Sequence, residues 1–435
     1  MWRLAISRFT LAFRTPELRK KILFTLLIVV IFRLGQSLPT PNVNVPALKA
    51  AADAAEQNSR LFGMLDLFSG GALLKLSVFA LGVFPYITAS IILQLLTVVI
   101  PRLEALRKEG QSGTTKITQY TRYLTVALAV LQGASVVAMA ATGRLFQNVS
   151  GSEDILYDKT PFPVITMVIC MVAGTAVVMW LGELITERGI GNGMSILIFT
   201  QVVAVFPGQL WGILQAKNGF TFALVILVGL AIMAGVVFVE QAQRRIPVQY
   251  AKRMVGRRMY GGTATYIPLK VNQAGIIPVI FASSLLYLPI LATELWPESK
   301  LLREIAPYTQ QTDPWNMAAF FGLTVFFTFF YVAITFNPAE VADNMKKYGG
   351  FVPGIRPGRP TAEYLDHVLT RITTPGSLYL GLVSLIPMVA LALLEVGNEF
   401  PFGGTSILIV VGVAIDTLKH IDAQLQQRNY EGFLR

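Results

Sequence analysis

Long stretches of this chain carry no charge. Leu76 to Pro101, Gly189 to Ala216 and Pro314 to Ala339 contain no Asp, Glu, Lys or Arg. An apolar run of about 18 or more residues is long enough to cross a bilayer as a helix. The same reading, extended along the chain, predicts ten spans, at roughly 22–38, 76–100, 120–142, 163–182, 191–210, 220–239, 274–293, 315–336, 376–395 and 404–418. The expected fold class is an all-α polytopic membrane protein with ten transmembrane helices. Composition agrees: 54% of the 435 residues are apolar and only 14% charged, with mean hydropathy +0.58, against roughly 25% charge in a soluble domain. Three soluble domains, the reading that length alone suggests, are excluded.

Charge is informative through its distribution. With the N-terminus inside, 27 of the 36 Lys and Arg fall on inside segments and 8 on outside ones, with Arg33 lying within span one. This asymmetry predicts a multi-pass protein with both termini cytoplasmic. Six basic residues, from Arg3 to Lys21, precede the first span, and no small-residue cleavage site follows promptly. The first span is therefore expected to be retained rather than removed as a signal peptide. Two inside connections, about 240–273 and 338–375, are long and basic. Their Gly, Pro and Tyr punctuation predicts folded hairpins or protrusions. The plainer alternative, basic residues that only fix orientation, does not require such length.

Two short matches mark an internal repeat. Residues 85–92 read PYITASII and 278–285 read PVIFASSL; residues 193–198 read GMSILI and 404–409 read GTSILI. Each match links span n with span n+5. A unit of five crossings re-enters from the opposite side, so the chain is expected to form two inverted five-helix halves, 1–210 and 211–435. Such halves place their pathway at the interface between them, where helices are broken by Gly or Pro. Spans two, five, seven and ten carry those breakers and are expected to line it.

The repeats bring branched aliphatics to a common depth. Val83, Ile87 and Ile91 lie four apart on one helical face, as do Met194 and Ile198. Ile280 and Ile409 are the repeat partners of Ile87 and Ile198. An isoleucine stripe is usually packing; arranged around a pseudo-two-fold axis, it also forms a dewetted seal. Nine of the ten spans have uncharged cores, so the intramembrane carboxylate or histidine that an ion-coupled transporter needs is not in evidence. Glu183, Glu187, Glu395 and Asp416 sit at span ends, expected to be solvated. Residues 61–75, LFGMLDLFSGGALLK, are apolar but too short to span. They fit either a re-entrant plug or an interfacial helix. The chain has one cysteine, Cys170, two histidines and no nucleotide-binding or zinc motif, so neither enzymatic chemistry nor a cofactor or metal is expected.

The strings FALGVFPYITASIILQLL, ERGIGNGMSILIF, RRIPVQYAKR, KVNQAGIIPVIFASSLL, GIRPG and GGTSILIVVGVA resemble the SecY/Sec61α family, the channel subunits of protein translocons. The resemblance runs from span one to the C-terminal tail. It implies a bacterial inner-membrane channel with a central hourglass pore. Such a channel passes unfolded secretory proteins across the membrane and releases hydrophobic segments sideways into the lipid bilayer. The implied partners are SecE-like and SecG-like small subunits, the SecA ATPase, the ribosome and preprotein signal sequences. The family's pore ring falls on Val83, Ile87, Met194, Ile198, Ile280 and Ile409. Its plug falls on about 62–73, with Phe62, Leu65, Leu67, Phe68, Ser69, Gly70 and Gly71. Its lateral gate, spans two and three against seven and eight, takes in Thr88, Ile91, Gln132, Asn272 and Leu288. Its motor and ribosome contacts fall on Arg257, Arg258 and Arg356. Two other readings stay open on the residues alone: a secondary transporter with a five-plus-five repeat, and a ribosome-binding anchor without a pore.

Overall fold

The computed structural model describes residues 13, 15–49, 70–143, 155–216, 219–250, 253–255, 258–260, 264–295, 313–394 and 404–431. Its helices are α1 (Pro16–Ser37), α2 (Phe84–Val99), α3 (Pro101–Lys108), α4 (Gln111–Ala141), α5 (Pro161–Arg188), α6 (Gly193–Ala216) and α7 (Gly219–Gln241) in the first part of the chain. Strands β1 (Gln243–Tyr250), β2 (Arg253–Val255), β3 (Arg258–Tyr260) and β4 (Ala264–Lys270) follow. The chain continues through α8 (Ile277–Leu295), α9 (Pro314–Thr335), α10 (Pro338–Lys347), β5 (Gly350–Phe351), α11 (Arg359–Leu394) and α12 (Gly404–Glu431). Each sequence-predicted span overlaps one of these helices. Among the described residues, four helices are long and apolar enough to cross a membrane, and the pair α2–α3 passes the same test together.

Prolines and caps set the helix boundaries. Pro16, Pro85, Pro101, Pro161, Pro314 and Pro338 occupy first-turn positions, where the missing N–H is no loss. Pro101 also holds Ile100 extended, at φ −99° and ψ 110°, so α2 ends there and α3 leaves at 100° to it. Asp313 caps α9 by accepting from the Trp315 N–H, and Asn337 caps α10 by accepting from Ala339 and Glu340. α2 packs on α4, α4 on α5, and α8 and α11 on α9. α12 packs against α6 and α7, and α8 meets α2 and α4 along a narrower seam.

Three expectations change. Span two was read as helical from residue 76, but residues 70–83 are a chain of turns and the helix starts at Phe84. Leu76 and Gly82 both take positive φ, 43° and 54°, which a helix excludes. Irregular backbone survives here because it is mostly buried in protein and several of its backbone groups are paired. Thr40 donates to the Leu76 carbonyl through both its N–H (2.9 Å) and its hydroxyl (2.8 Å), and the Val78 N–H donates to Leu38 O at 2.9 Å. Second, span nine begins within the preceding connection: α11 starts at Arg359, with Leu365, Val368 and Leu369 buried. Third, α12 continues to Glu431, past the expected end at 418.

The two long connections fold together. β1 pairs antiparallel with β4, Ile246 opposite Ile267, and the end of β1 pairs with β5, giving the order β4-β1-β5. Alternation puts Ile246 and Val248 on one face, over a small core with Leu269, Met345, Val352, Leu365 and Val368. Arg245, on the other face, lies 4.8 Å over the Tyr266 ring.

Candidate functional site

The first turns of α2 and α6 and the start of α12 converge. Val83 is the residue before α2, and Ile87 lies one turn along it. Met194 and Ile198 lie one turn apart at the start of α6. Val83, Met194, Ile198 and Ile409 are buried in one apolar cluster with Phe79, Leu197 and Val413, and the half-buried Ile87 packs against it. Ile280, on α8, belongs to the adjoining cluster with Ile91, Phe281 and Leu408. Ile87 and Ile276 touch both clusters. Five of the six expected ring positions therefore share one cluster, and Ile87 links the sixth to them. The close packing has a visible cause. A β-carbon at Gly193 would strike the Gly182 carbonyl, and one at Gly182 would meet the Met194 side chain, so these glycines let α5 and α6 approach. Among the described residues, every fully buried polar side chain is neutral: Ser, Thr, Asn or Gln.

Next to this cluster stands the turn segment that opens α2. Phe62, Leu65, Leu67, Phe68 and Ser69 lie outside the described residues. Gly70 and Gly71 are described, both left-handed, at φ 67° and 81°. Arg33 on α1 donates to the Gly70 carbonyl at 3.2 Å and to Gln36 Oε1 at 2.7 Å. Gln36 and Gln201 are buried beside it. Sequence reasoning noticed Arg33 only as the one charge in a span; its partner lies 37 residues away, and no local pattern announces it.

The expected gate residues are dispersed in their hydrogen bonding. Thr88 donates to Phe84 O within its own helix at 3.0 Å. Asn272 is buried, and its amide donates to Glu240 Oε2 at 2.9 Å and to Gly275 O at 3.1 Å, while Oδ1 has no partner among the described residues. Gln132 is half-buried on α4, and Ile91 packs in the cluster of α8. Leu288 lies on α8 just before Pro289; its side chain is outside the described residues.

Of the expected basic contacts, Arg257 lies outside the described residues. Arg258 opens β3, which pairs with β2, and its side chain is likewise not described. Arg356 is exposed in the turns between β5 and α11. One span-end acid behaves differently from expectation. Glu183 is only 22% exposed and accepts a two-point fork from Arg122, at 2.8 and 2.7 Å, joining α4 to α5.

Comparison with known proteins adds to this geometry. The SecY family profile matches residues 77–418. A relative from Streptomyces scabiei named protein translocase subunit SecY is 62% identical, covering 99% of this chain and 100% of its own length. Relatives of the same name from Streptomyces griseus and from Mycobacterium tuberculosis H37Rv are 63% and 57% identical over the same shares. Among solved structures, one described as the structure of a protein conducting channel superposes with a TM-score of 0.62 at 17% identity, covering 93% of this chain and 91% of its own. Sec61 in the canine ribosome–channel complex superposes at 0.59, with the same identity and coverage.

Proposed function

The chain belongs to the SecY family, and from that premise we propose that Val83, Ile87, Met194, Ile198, Ile280 and Ile409 are the seal of its pore. It is a multi-pass membrane protein, a protein-conducting channel subunit rather than an enzyme, as its relatives' names and the fold it shares with solved channels indicate. Unfolded proteins pass through it across the membrane, and hydrophobic segments leave it sideways into lipid. A ring of branched aliphatics suits that task. It dewets when closed, so ions are excluded, and it has no fixed polar ligand to bind a passing chain. The observation that carries the reading is the shared burial of Val83, Met194, Ile198 and Ile409 from three separate parts of the chain, with Ile87 against them.

The remaining assignments follow from the same premise. The two halves are 1–210 and 211–435. Residues 62–73 are the plug that backs the ring. Thr88, Ile91 and Gln132 face Asn272 and Leu288 across the lateral gate. The sheet β4-β1-β5 faces the cytoplasm, where SecA or a ribosome docks, and Arg257, Arg258 and Arg356 make the contact; arginine forks suit carboxylate and phosphate partners. SecE-like and SecG-like subunits complete the complex. The membrane is the bacterial inner membrane, and both termini are cytoplasmic, in line with the Lys/Arg asymmetry.

Proteoliposomes carrying the complex test the reading. SecA- and ATP-driven uptake of a signal-bearing preprotein is expected. Ion-coupled uptake of a small solute with no preprotein uptake would overturn it in favour of a secondary transporter, and ribosome binding without passage in favour of an anchor.

A further inference from the structure

Arg33 is the one charge in the sequence-predicted first span, near its outer end, and a charge within a span is retained only where protein groups satisfy it. Among the described residues it has no carboxylate partner. Its guanidinium is instead divided between Gln36 Oε1 and the backbone carbonyl of Gly70. The same glycine lies against the backbone of Gln201 and the Gln36 amide: a β-carbon at Gly70 would stand 3.1 Å from the Gln201 Cα, 3.2 Å from its carbonyl oxygen and 3.2 Å from Gln36 Nε2. The Gln201 side chain in turn fills the space beside Gly82, where a β-carbon would collide with its amide. Gln201 is 1% exposed, and its Nε2 donates to nothing among the described residues. The turn segment 70–83 is thus gripped at both ends. Arg33 contributes a charge-assisted hydrogen bond at the Gly70 end, and Gln201 an unsatisfied buried donor at the Gly82 end.

We propose that Arg33 and Gln201 are opposed positioning residues of this segment: Arg33 latches it in the closed arrangement, and Gln201 biases it toward release. The proposal rests on the reading of residues 62–73 as the plug. The two effects have opposite sign for a physical reason. The Arg33 bond exists only while Gly70 stays in place, so it stabilises closure. The Gln201 amide is desolvated without compensation while Gly82 stands against it, which destabilises closure. Once the segment moves, water or a passing chain gives that amide a partner. A latch of this kind is tight at rest and close to balance.

The test uses the full complex in proteoliposomes, in a Cys170→Ser background with a reporter Ala72→Cys. Ala72 is completely buried, so a membrane-impermeant maleimide labels the cysteine only when the segment leaves its seat. Arg33→Met is expected to raise the labelling rate about tenfold, the scale of one lost charge-assisted hydrogen bond. Arg33→Lys keeps the charge but not the planar guanidinium, and is expected to fall between. Gln201→Met, of similar shape without the donor, is expected to lower labelling several-fold below the parent, measured while a signal peptide is driving opening. Unchanged labelling in Arg33→Met would overturn the latch. So would both substitutions shifting labelling in the same direction, the mark of general loosening. Should Arg33→Met fail to accumulate, Gln201→Met decides: a fall in labelling supports the proposal, and no change or a rise overturns it. Resting ion conductance, recorded in parallel, separates this from the plug reading. Labelling that rises without added conductance upholds the latch and removes the segment from the seal.

Discussion

Replacing Ile409 with Asn tests the seal most directly. Ile409 is 2% exposed on α12, among Val83, Met194 and Ile198. The substitution removes a buried aliphatic side chain, worth about 1.5–3 kcal/mol when fully buried. It also leaves an amide in apolar surroundings, at about 1–3 kcal/mol. Only the part that differs between closed and open channel acts on gating, because in the open channel position 409 faces water or a passing polypeptide. Taking about 1–3 kcal/mol for that difference, and 1.4 kcal/mol per tenfold, the open fraction rises roughly five- to 150-fold. The expected result is measurable ion leak in planar bilayers, together with translocation of preproteins that carry weakened signal sequences. Ile87→Asn should act likewise. Ile409→Leu, which conserves volume, should stay tight. Ile421→Asn provides the control for general destabilisation. It is equally apolar, buried and on the same helix, but packs on Leu18 and Ile190, away from the ring. Asn variants at 409 and 87 that accumulate normally, leak no more than the parent and keep full signal selectivity would refute the reasoning, as would equal leak from Ile421→Asn.

Arg257→Glu with Arg258→Glu, or Arg356→Glu alone, should slow preprotein translocation while leaving accumulation and thermal stability unchanged; if ribosomal RNA is the partner, the salt dependence of ribosome binding should flatten in the variants. Thr88→Cys and Leu288→Cys, in a Cys170→Ser background, should be bridged by oxidant or a short bifunctional reagent, blocking signal-peptide entry until reduction. A bridged channel working at the normal rate would show that the seam need not open. Glu183→Gln should weaken the fork to Arg122 and lower the melting temperature of the detergent-solubilised complex by a degree or two, since a partly exposed pair is worth about 1 kcal/mol or less; a double-mutant cycle with Arg122→Met showing no coupling would remove the pair from the α4–α5 contact.

The spans were legible because lipid and protein interiors impose the same demand, a charge-free apolar run, and that demand is written locally. Residues 76–83 meet it equally well as turns, so composition could not separate them from the helix that follows. The distinguishing signals were positional: Ser69-Gly70-Gly71 before the segment and Gly82 with Pro85 at its end. The extra turns of α11 were missed for the converse reason. Leu365, Val368 and Leu369 repeat at helical spacing, but Arg359, Glu363, Asp366 and Arg371 lie between and around them, and a search for charge-free runs passes over an amphipathic helix. The burial of Val83, Met194, Ile198 and Ile409 in one cluster was legible through the repeat, which is local evidence counted twice. Contacts between residues far apart in the chain left no trace in sequence: Arg33 with Gly70, β1 with the two residues of β5, and Asn272 with Glu240.

The three-stranded sheet gives the molecule a handle. β1 leaves α7 with only Ala242 between them, and the Val271 N–H donates back to the Ala242 carbonyl at 3.0 Å. The strand that returns toward α8 is therefore riveted to the end of α7. β5 ties in the stretch between α10 and α11, and the small core under the sheet includes Met345 from α10 and Leu365 and Val368 from α11. A force on this plate is shared, through strand pairing and the common core, by α7, α10 and α11, and the strand that returns from it leads to α8, the helix that borders α2 and α4. Push and pull on the sheet thus have a covalent and packed route to the seam.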